Sequence, residues 1–212
     1  MTRHQKLFAV IPAAGHSQRM GQPKLLLPLG EQTVIRRLLD VLNRADVDER
    51  LVVLRRDDAS LRAEVEAAGA RVVAPELPPP DMRASVEQAL AEIRMSHRPA
   101  AHDGWLLIPA DHPLLSASVL EQLIAAWNQS DADALVPTFQ GRRGHPTFFR
   151  WRLADKISAI PSGRGLNQLL NTQSVQVQEV AVEDRSVVVD LDTPQDYETL
   201  RQQYRDGHNQ PS

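Results

Sequence analysis

The chain of 212 residues contains no cysteine, which excludes disulfides, thiolate metal sites and a cysteine nucleophile. Positive charge is not in excess either. Lys and Arg number 24 against 27 Asp and Glu, a formal net charge of −3 at pH 7, so the basic footprint needed for nucleic-acid binding is missing. Any site for an anion must therefore be local. No hydrophobic run approaches a membrane span, and the first apolar segment, ending at Pro12, is too short for a signal-peptide core with its flanks. A soluble cytoplasmic protein with no membrane and no nucleic-acid partner is expected. Three familiar site motifs are also absent. There is no G-x-G-x-x-G, no Gly-Lys-Ser/Thr of a P-loop, and no G-x-S-x-G nucleophile turn.

What is present is an alternation. "LFAVIP", "RLVVL", "RVVA", "WLLIP" and "ALVP" are short, nearly continuous apolar runs, the mark of strands buried on both faces of a parallel sheet. Between them, Val34, Ile35, Leu38, Leu39 and Leu42 repeat at helical spacing, as do Leu61, Val65 and Ala68, and Val86, Ala89, Leu90 and Ile93. Ser118 and Glu121 suggest a capping box before a fourth helix. The pattern predicts an α/β fold, an open and mostly parallel sheet with helices on both faces. After Pro137, "PTFFRWRL", "SVQVQEVAV" and "SVVVDLD" read as further strands, with helices near 166–171 and 193–204. No linker divides the chain, so residues 1–212 are expected to form a single domain. "PELPPPD" is expected to be a stiff surface loop.

Ligands of open α/β sheets gather beyond the carboxyl ends of the strands. Residues there include Ala13, Ala14, Gly15, Arg19 and Lys24 after the first strand, and Arg83 and Ser85 after the Pro-rich loop. Asp111 and His112 follow "WLLIPA", and Asp190 and Asp192 lie in "VVVDLDTP". Small residues at 13–15 let backbone amides approach an anion, Arg19 offers a planar fork, and Lys24 a mobile charge. On these grounds a phosphate-holding loop and a solvated surface turn have even standing. Asp111 and Asp192 suit Mg²⁺, which takes one or two carboxylates together with waters and phosphate oxygens. Turn and cap roles remain open for both, and for Asp192, beside Thr-Pro, capping is the stronger reading taken alone.

In order along the chain, "AAGHSQRMGQPKLLLPLG", "IPADHPLL", "GRRGHPTFF" and "VVDLDTPQDY" resemble the landmarks of the MobA-like nucleotidyltransferases, most closely the molybdenum cofactor cytidylyltransferase branch. The resemblance implies a Rossmann-like, nucleotide-diphospho-sugar transferase-like fold that uses Mg²⁺ and CTP. The implied reaction joins CMP to the terminal phosphate of a molybdopterin-type cofactor and releases pyrophosphate. Ala13, Ala14 and Gly15 match the segment meeting base and phosphates, Arg19 and Lys24 the triphosphate clamp, and Ser85 a serine near the base. Asp111 and Asp192 match the metal site. Gly144, His145 and Pro146 are the candidates for binding the acceptor. Related guanylyltransferases carry Ala-Gly-Gly where this chain has Ala13-Ala14-Gly15, and the added methyl favours a pyrimidine. Two alternatives stay open, a GTP-dependent guanylyltransferase on the same cofactor and a cofactor-binding chaperone without turnover. Delivery to a molybdoenzyme or other partner is compatible with catalysis.

Overall fold

The structure is a computed structural model describing residues 5–161 and 164–208. In chain order it runs β1 (Leu7–Pro12), the short pair β2 (Pro28–Leu29) and β3 (Gln32–Thr33), α1 (Val34–Val41), β4 (Glu49–Val53), α2 (Ala59–Ala67) and β5 (Arg71–Val73). Then come α3 (Met82–His97), β6 (Gly104–Leu107), α4 (Ala117–Asn128), β7 (Ala134–Phe139), β8 (Arg142–Arg143) and β9 (Thr147–Arg150). The last elements are α5 (Asn167–Leu170), β10 (Val177–Ala181) and α6 (Pro194–His208).

Alternation along the central strands dictates two covered faces. β1 sends Leu7, Ala9 and Ile11 into one core and Phe8 and Val10 into the other. β6 divides in the same way, Leu106 to the first and Trp105 and Leu107 to the second. The first core is roofed by α1, α2 and α4, with Leu200 of α6. The second is roofed by α3 and by the chain from Trp151 to Val175. Completely buried side chains such as Phe8, Trp105 and Phe148 carry this packing; truncating one to alanine should cost about 3–5 kcal/mol.

The main sheet has the order β10-β7-β9-β6-β1-β4-β5, with β8 hydrogen-bonded to β7. All pairs are parallel except those made by β9, which runs antiparallel between β6 and β7, and by β8. The fold is thus the mixed, mostly parallel sheet with helices that the sequence pattern predicts. One consequence matters for the site. The carboxyl ends of the parallel strands and the start of β9 share one edge.

Some local expectations are corrected. "SVVVDLD" is not a strand; Arg185–Val188 forms a 3₁₀ turn that Asp184 starts by accepting from the Ser186 amide. Val187 is fully buried and its carbonyl accepts from the His145 amide, so a turn pressed on the sheet buries the apolar run. "PTFFRWRL" stays extended only to Arg150, after which Trp151–Lys156 turns into a 3₁₀ segment. The cap of α4 is Ser116, whose hydroxyl accepts from the Val119 amide, and Ser118 lies inside the first turn. Among the described residues no helix is long and apolar enough to cross a membrane.

Candidate active site

A cleft of about 460 Å³ opens at the shared strand edge. One side is the loop after β1, beginning at Ala13, whose amide still donates to Val53 at 2.7 Å as an extension of the sheet. Ala13 therefore supplies a floor but no free amide. Beyond it, the amides of Ala14, Gly15, His16 and Ser17 take no hydrogen bond among the described residues. Ser17 has a φ of 50°, a left-handed conformation uncommon for a residue with a side chain. Successive free amides beside a left-handed residue make a concavity suited to an anion, and strain of this kind collects at ligand sites. The loop continues through a 3₁₀ turn at Gln18–Met20, carrying Arg19, to another at Lys24–Leu26.

The charged residues converge at the end of this loop. Lys24 Nζ donates to Asp111 Oδ2 at 2.6 Å, to the Leu191 carbonyl at 2.7 Å and to Asp192 Oδ1 at 3.1 Å. Arg19 Nη1 reaches Asp192 Oδ2 at 3.0 Å from a largely exposed side chain. Burial acts to lower the Lys24 pKa, but the charges and hydrogen bonds of Asp111 and Asp192 outweigh it and hold the ammonium above its ordinary value. The main chain joins the two segments that carry these carboxylates, the Leu191 amide donating to the Asp111 carbonyl at 2.9 Å. Capping of α6 does not fall to Asp192. Thr193 and Asp196 form a reciprocal cap, the Thr193 amide donating to Asp196 Oδ2 at 2.7 Å and the Asp196 amide to Thr193 Oγ1 at 3.2 Å. Asp192 is left free to face the cations.

Two carboxylates and a carbonyl around one cationic centre form a hard-oxygen set. Among the described residues no group of three or more His, Cys, Asp or Glu is placed to hold a metal. The Lys24 ammonium occupies the centre of that oxygen set, between the Asp111 and Asp192 carboxylates.

The opposite wall is the Pro-rich loop and the start of α3. Pro78, Pro79 and Pro80 line it, followed by Asp81, which caps α3 by accepting from the Ala84 amide at 2.7 Å. Ser85 is buried and lines the cleft, and its hydroxyl donates to the Asp81 carbonyl at 3.3 Å, leaving its oxygen able to accept. Arg83 turns away to Glu87 at 2.8 Å and does not line the cleft.

Gly144, His145 and Pro146 do not line it either. They sit just before β9, behind Asp111. The His145 ring meets the buried His112 ring edge-on at 5.1 Å. A Cβ at Gly144 would run into the Val187 carbonyl, so that approach demands glycine. Burial, then the neighbouring His112, pushes the His145 pKa down to about 4, against a hydrogen bond that the ring donates to the Leu107 backbone and the charge of Asp111. Burial also lowers His112, partly opposed by Asp111 and Asp190.

Some cleft residues escaped the sequence reading. His16, Ser17 and Leu25 line the cleft, and the Leu191 carbonyl binds Lys24. The left-handed Ser17 has no signal in "HSQRM".

The MobA-like NTP transferase domain family matches residues 9–180. Purine catabolism protein PucB of Bacillus subtilis (strain 168) is 30% identical over 94% of this chain and 98% of its own length. The molybdenum cofactor cytidylyltransferase of Escherichia coli (strain K12) is 23% identical over 92% and 95%. The solved structure of Rv0371c from Mycobacterium tuberculosis H37Rv superposes with a TM-score of 0.80 at 28% identity, covering 94% of this chain and 100% of that one. Its complex with manganese superposes at 0.75.

Proposed function

This chain belongs to the MobA-like NTP transferase family of nucleotidyltransferases, and on that premise we propose that it transfers CMP from CTP to the terminal phosphate of a molybdopterin-type cofactor. The observation that carries the reading is the meeting of Arg19, Lys24, Asp111 and Asp192 beside a loop with free amides. In this reaction a phosphate oxygen of the acceptor forms a bond to the α-phosphorus. The bridging bond to the β-phosphate breaks in line, and pyrophosphate leaves with the electron pair. Both reactants are anionic, so the protein's work is charge neutralisation and positioning.

In this reading the amides of residues 14–17 cradle the phosphates, while Arg19 and Lys24 balance charge that develops on the leaving group. Ala14 and Ser85 flank the base. Asp111 and Asp192 would hold Mg²⁺, which would supply charge neutralisation at the phosphate oxygens. Gly144, His145 and Pro146 shape the edge on which the acceptor lies, acting through His112 and Asp111. The relative named as a molybdenum cofactor cytidylyltransferase and the manganese-bound structure support acceptor and metal class respectively. Release of the product to a molybdoenzyme is part of the same proposal.

Asp111→Ala tests the catalytic reading against a purely cofactor-binding role. Turnover should fall at least about a hundredfold, as when other groups that stabilise transition-state charge are removed, with molybdopterin cofactor binding retained. Wild-type turnover in this variant would remove Asp111 from the machinery.

A further inference from the structure

Beside the cleft, and separated from it by the loop after β1, lies a second hollow of about 410 Å³. Ala13, Gly15, His16, Ser17 and Leu25 line both. The loop is thus a thin partition with a face on each side. Arg55, which follows β4, lines only the second hollow.

The Arg55 guanidinium is held on three sides. Its Nε donates to Asp57 Oδ1 at 3.2 Å and its Nη2 to Asp58 Oδ2 at 3.4 Å. Asp58 is itself pinned as the cap of α2, accepting from the Leu61 amide at 3.1 Å. The remaining arm, Nη1, donates to the Gly15 carbonyl at 3.2 Å. A planar fork with fixed donors can bridge three acceptors in this way, and a lysine ammonium cannot match that geometry.

We propose that Arg55 is a positioning residue that latches the Gly15–His16 peptide, so that its carbonyl faces the second hollow and its amide faces the substrate cleft. A trans peptide sets C=O and N–H on opposite sides, so holding the Gly15 oxygen on the Arg55 side turns the His16 amide the other way. Gly15 is where such control is needed. It has no side chain, and a Cβ built there meets nothing within 4 Å, so sterics do not hold this peptide. Reversed, the peptide would aim its carbonyl at the phosphates and replace an attraction with a repulsion. The latch rests on the proposed nucleotide site and adds to it the residue that orients an amide of the phosphate cradle.

The test uses the full-length protein, with equilibrium binding of MgCTP and of inorganic tripolyphosphate by calorimetry. Arg55→Ala and Arg55→Lys should each weaken both ligands about tenfold, a difference of about 1.4 kcal/mol. In parallel, tripolyphosphate should shift the His16 amide resonance in the ¹⁵N spectrum of the wild type, and the shift should be lost in Arg55→Ala. A role confined to bracing α2 would lower the unfolding temperature yet leave that resonance responding. Wild-type affinity in Arg55→Lys would reduce Arg55 to a point charge and overturn the latch, as would a His16 amide that ignores tripolyphosphate in the wild type. A wild-type protein that binds neither ligand would overturn the nucleotide site itself and the latch with it. If the wild type binds both ligands and Arg55→Ala binds them equally well, only the latch falls.

Discussion

Lys24 and Asp111 stand 87 positions apart in sequence, yet Lys24 Nζ lies 2.6 Å from Asp111 Oδ2. This contact joins the loop after β1 to the end of β6, across the strand edge where the cleft opens. Both side chains are mostly shielded, 15% and 20% exposed, so the pair is screened less than a surface ion pair. A double-mutant cycle of Lys24→Met and Asp111→Asn, read by denaturant unfolding, should give a coupling of about 1–2 kcal/mol. A coupling near zero would place the pair among inert surface contacts. Lys24→Met alone should also weaken use of the triphosphate, raising the KM for CTP.

The two neighbouring residues at the start of α6 should separate cleanly. Thr193→Ala removes a cap and should cost about 1 kcal/mol of stability, while Mn²⁺ affinity stays at wild type. Asp192→Asn should instead weaken Mn²⁺ binding measured by calorimetry, with a stability loss that comes from its contacts with Lys24 and Arg19 and not from the helix cap. Equal effects of both on metal binding would contradict the division of labour between them.

Acid should destabilise the protein through the histidine pair. The folded pKa of His145 is depressed, to about 4 from the ordinary 6.5, so below 6.5 the unfolded chain takes up a proton that the folded one refuses. Stability is therefore lost as pH falls from 6.5 towards 4, by about 3 kcal/mol for this group. His112 adds loss of the same sign. His145→Gln should flatten that limb in urea unfolding measured across the range, and an unaltered limb would contradict the assignment. Lys24 acts at the opposite end. Its raised pKa contributes stability present below 10.5 and lost as pH rises through the higher folded value.

Base choice should respond to Ala14. Ala14 lines the cleft; if its methyl sets base choice as proposed, Ala14→Gly should lower the ratio of kcat/KM for CTP over GTP. One methyl is worth about 1–3 kcal/mol, so the fall should be about tenfold or more. A ratio unchanged by the substitution would remove Ala14 as the specificity element.

The sequence was most legible where the period was strong. Apolar runs such as "LFAVIP" and "WLLIP" and the helical spacing through Val86 and Ile93 are found as β1, β6 and α3, because burial on two faces leaves the residues little choice. "SVVVDLD" misled because an apolar run reports burial and not backbone shape, and here a 3₁₀ turn against β9 buries it. At the site, Arg19, Lys24 and Asp111 meet beyond the ends of β1 and β6, and Asp192 joins them from the segment before α6, which is not the strand that the sequence suggested. The ambiguity of Asp192 could not be settled from "DLDTPQD", since either Asp192 or Thr193 can cap. Only the reciprocal bonds of Thr193 and Asp196 decide it. The left-handed backbone at Ser17 and the carbonyl of Leu191 are main-chain contributions, which side-chain identity does not encode.

The most direct measurement is pyrophosphate release with each of the four ribonucleoside triphosphates, with Mg²⁺, in the presence and absence of molybdopterin cofactor. The account predicts release with CTP only when the cofactor is present, and little with the other three. Release that favours GTP, or none with any nucleotide although CTP binds, would contradict it.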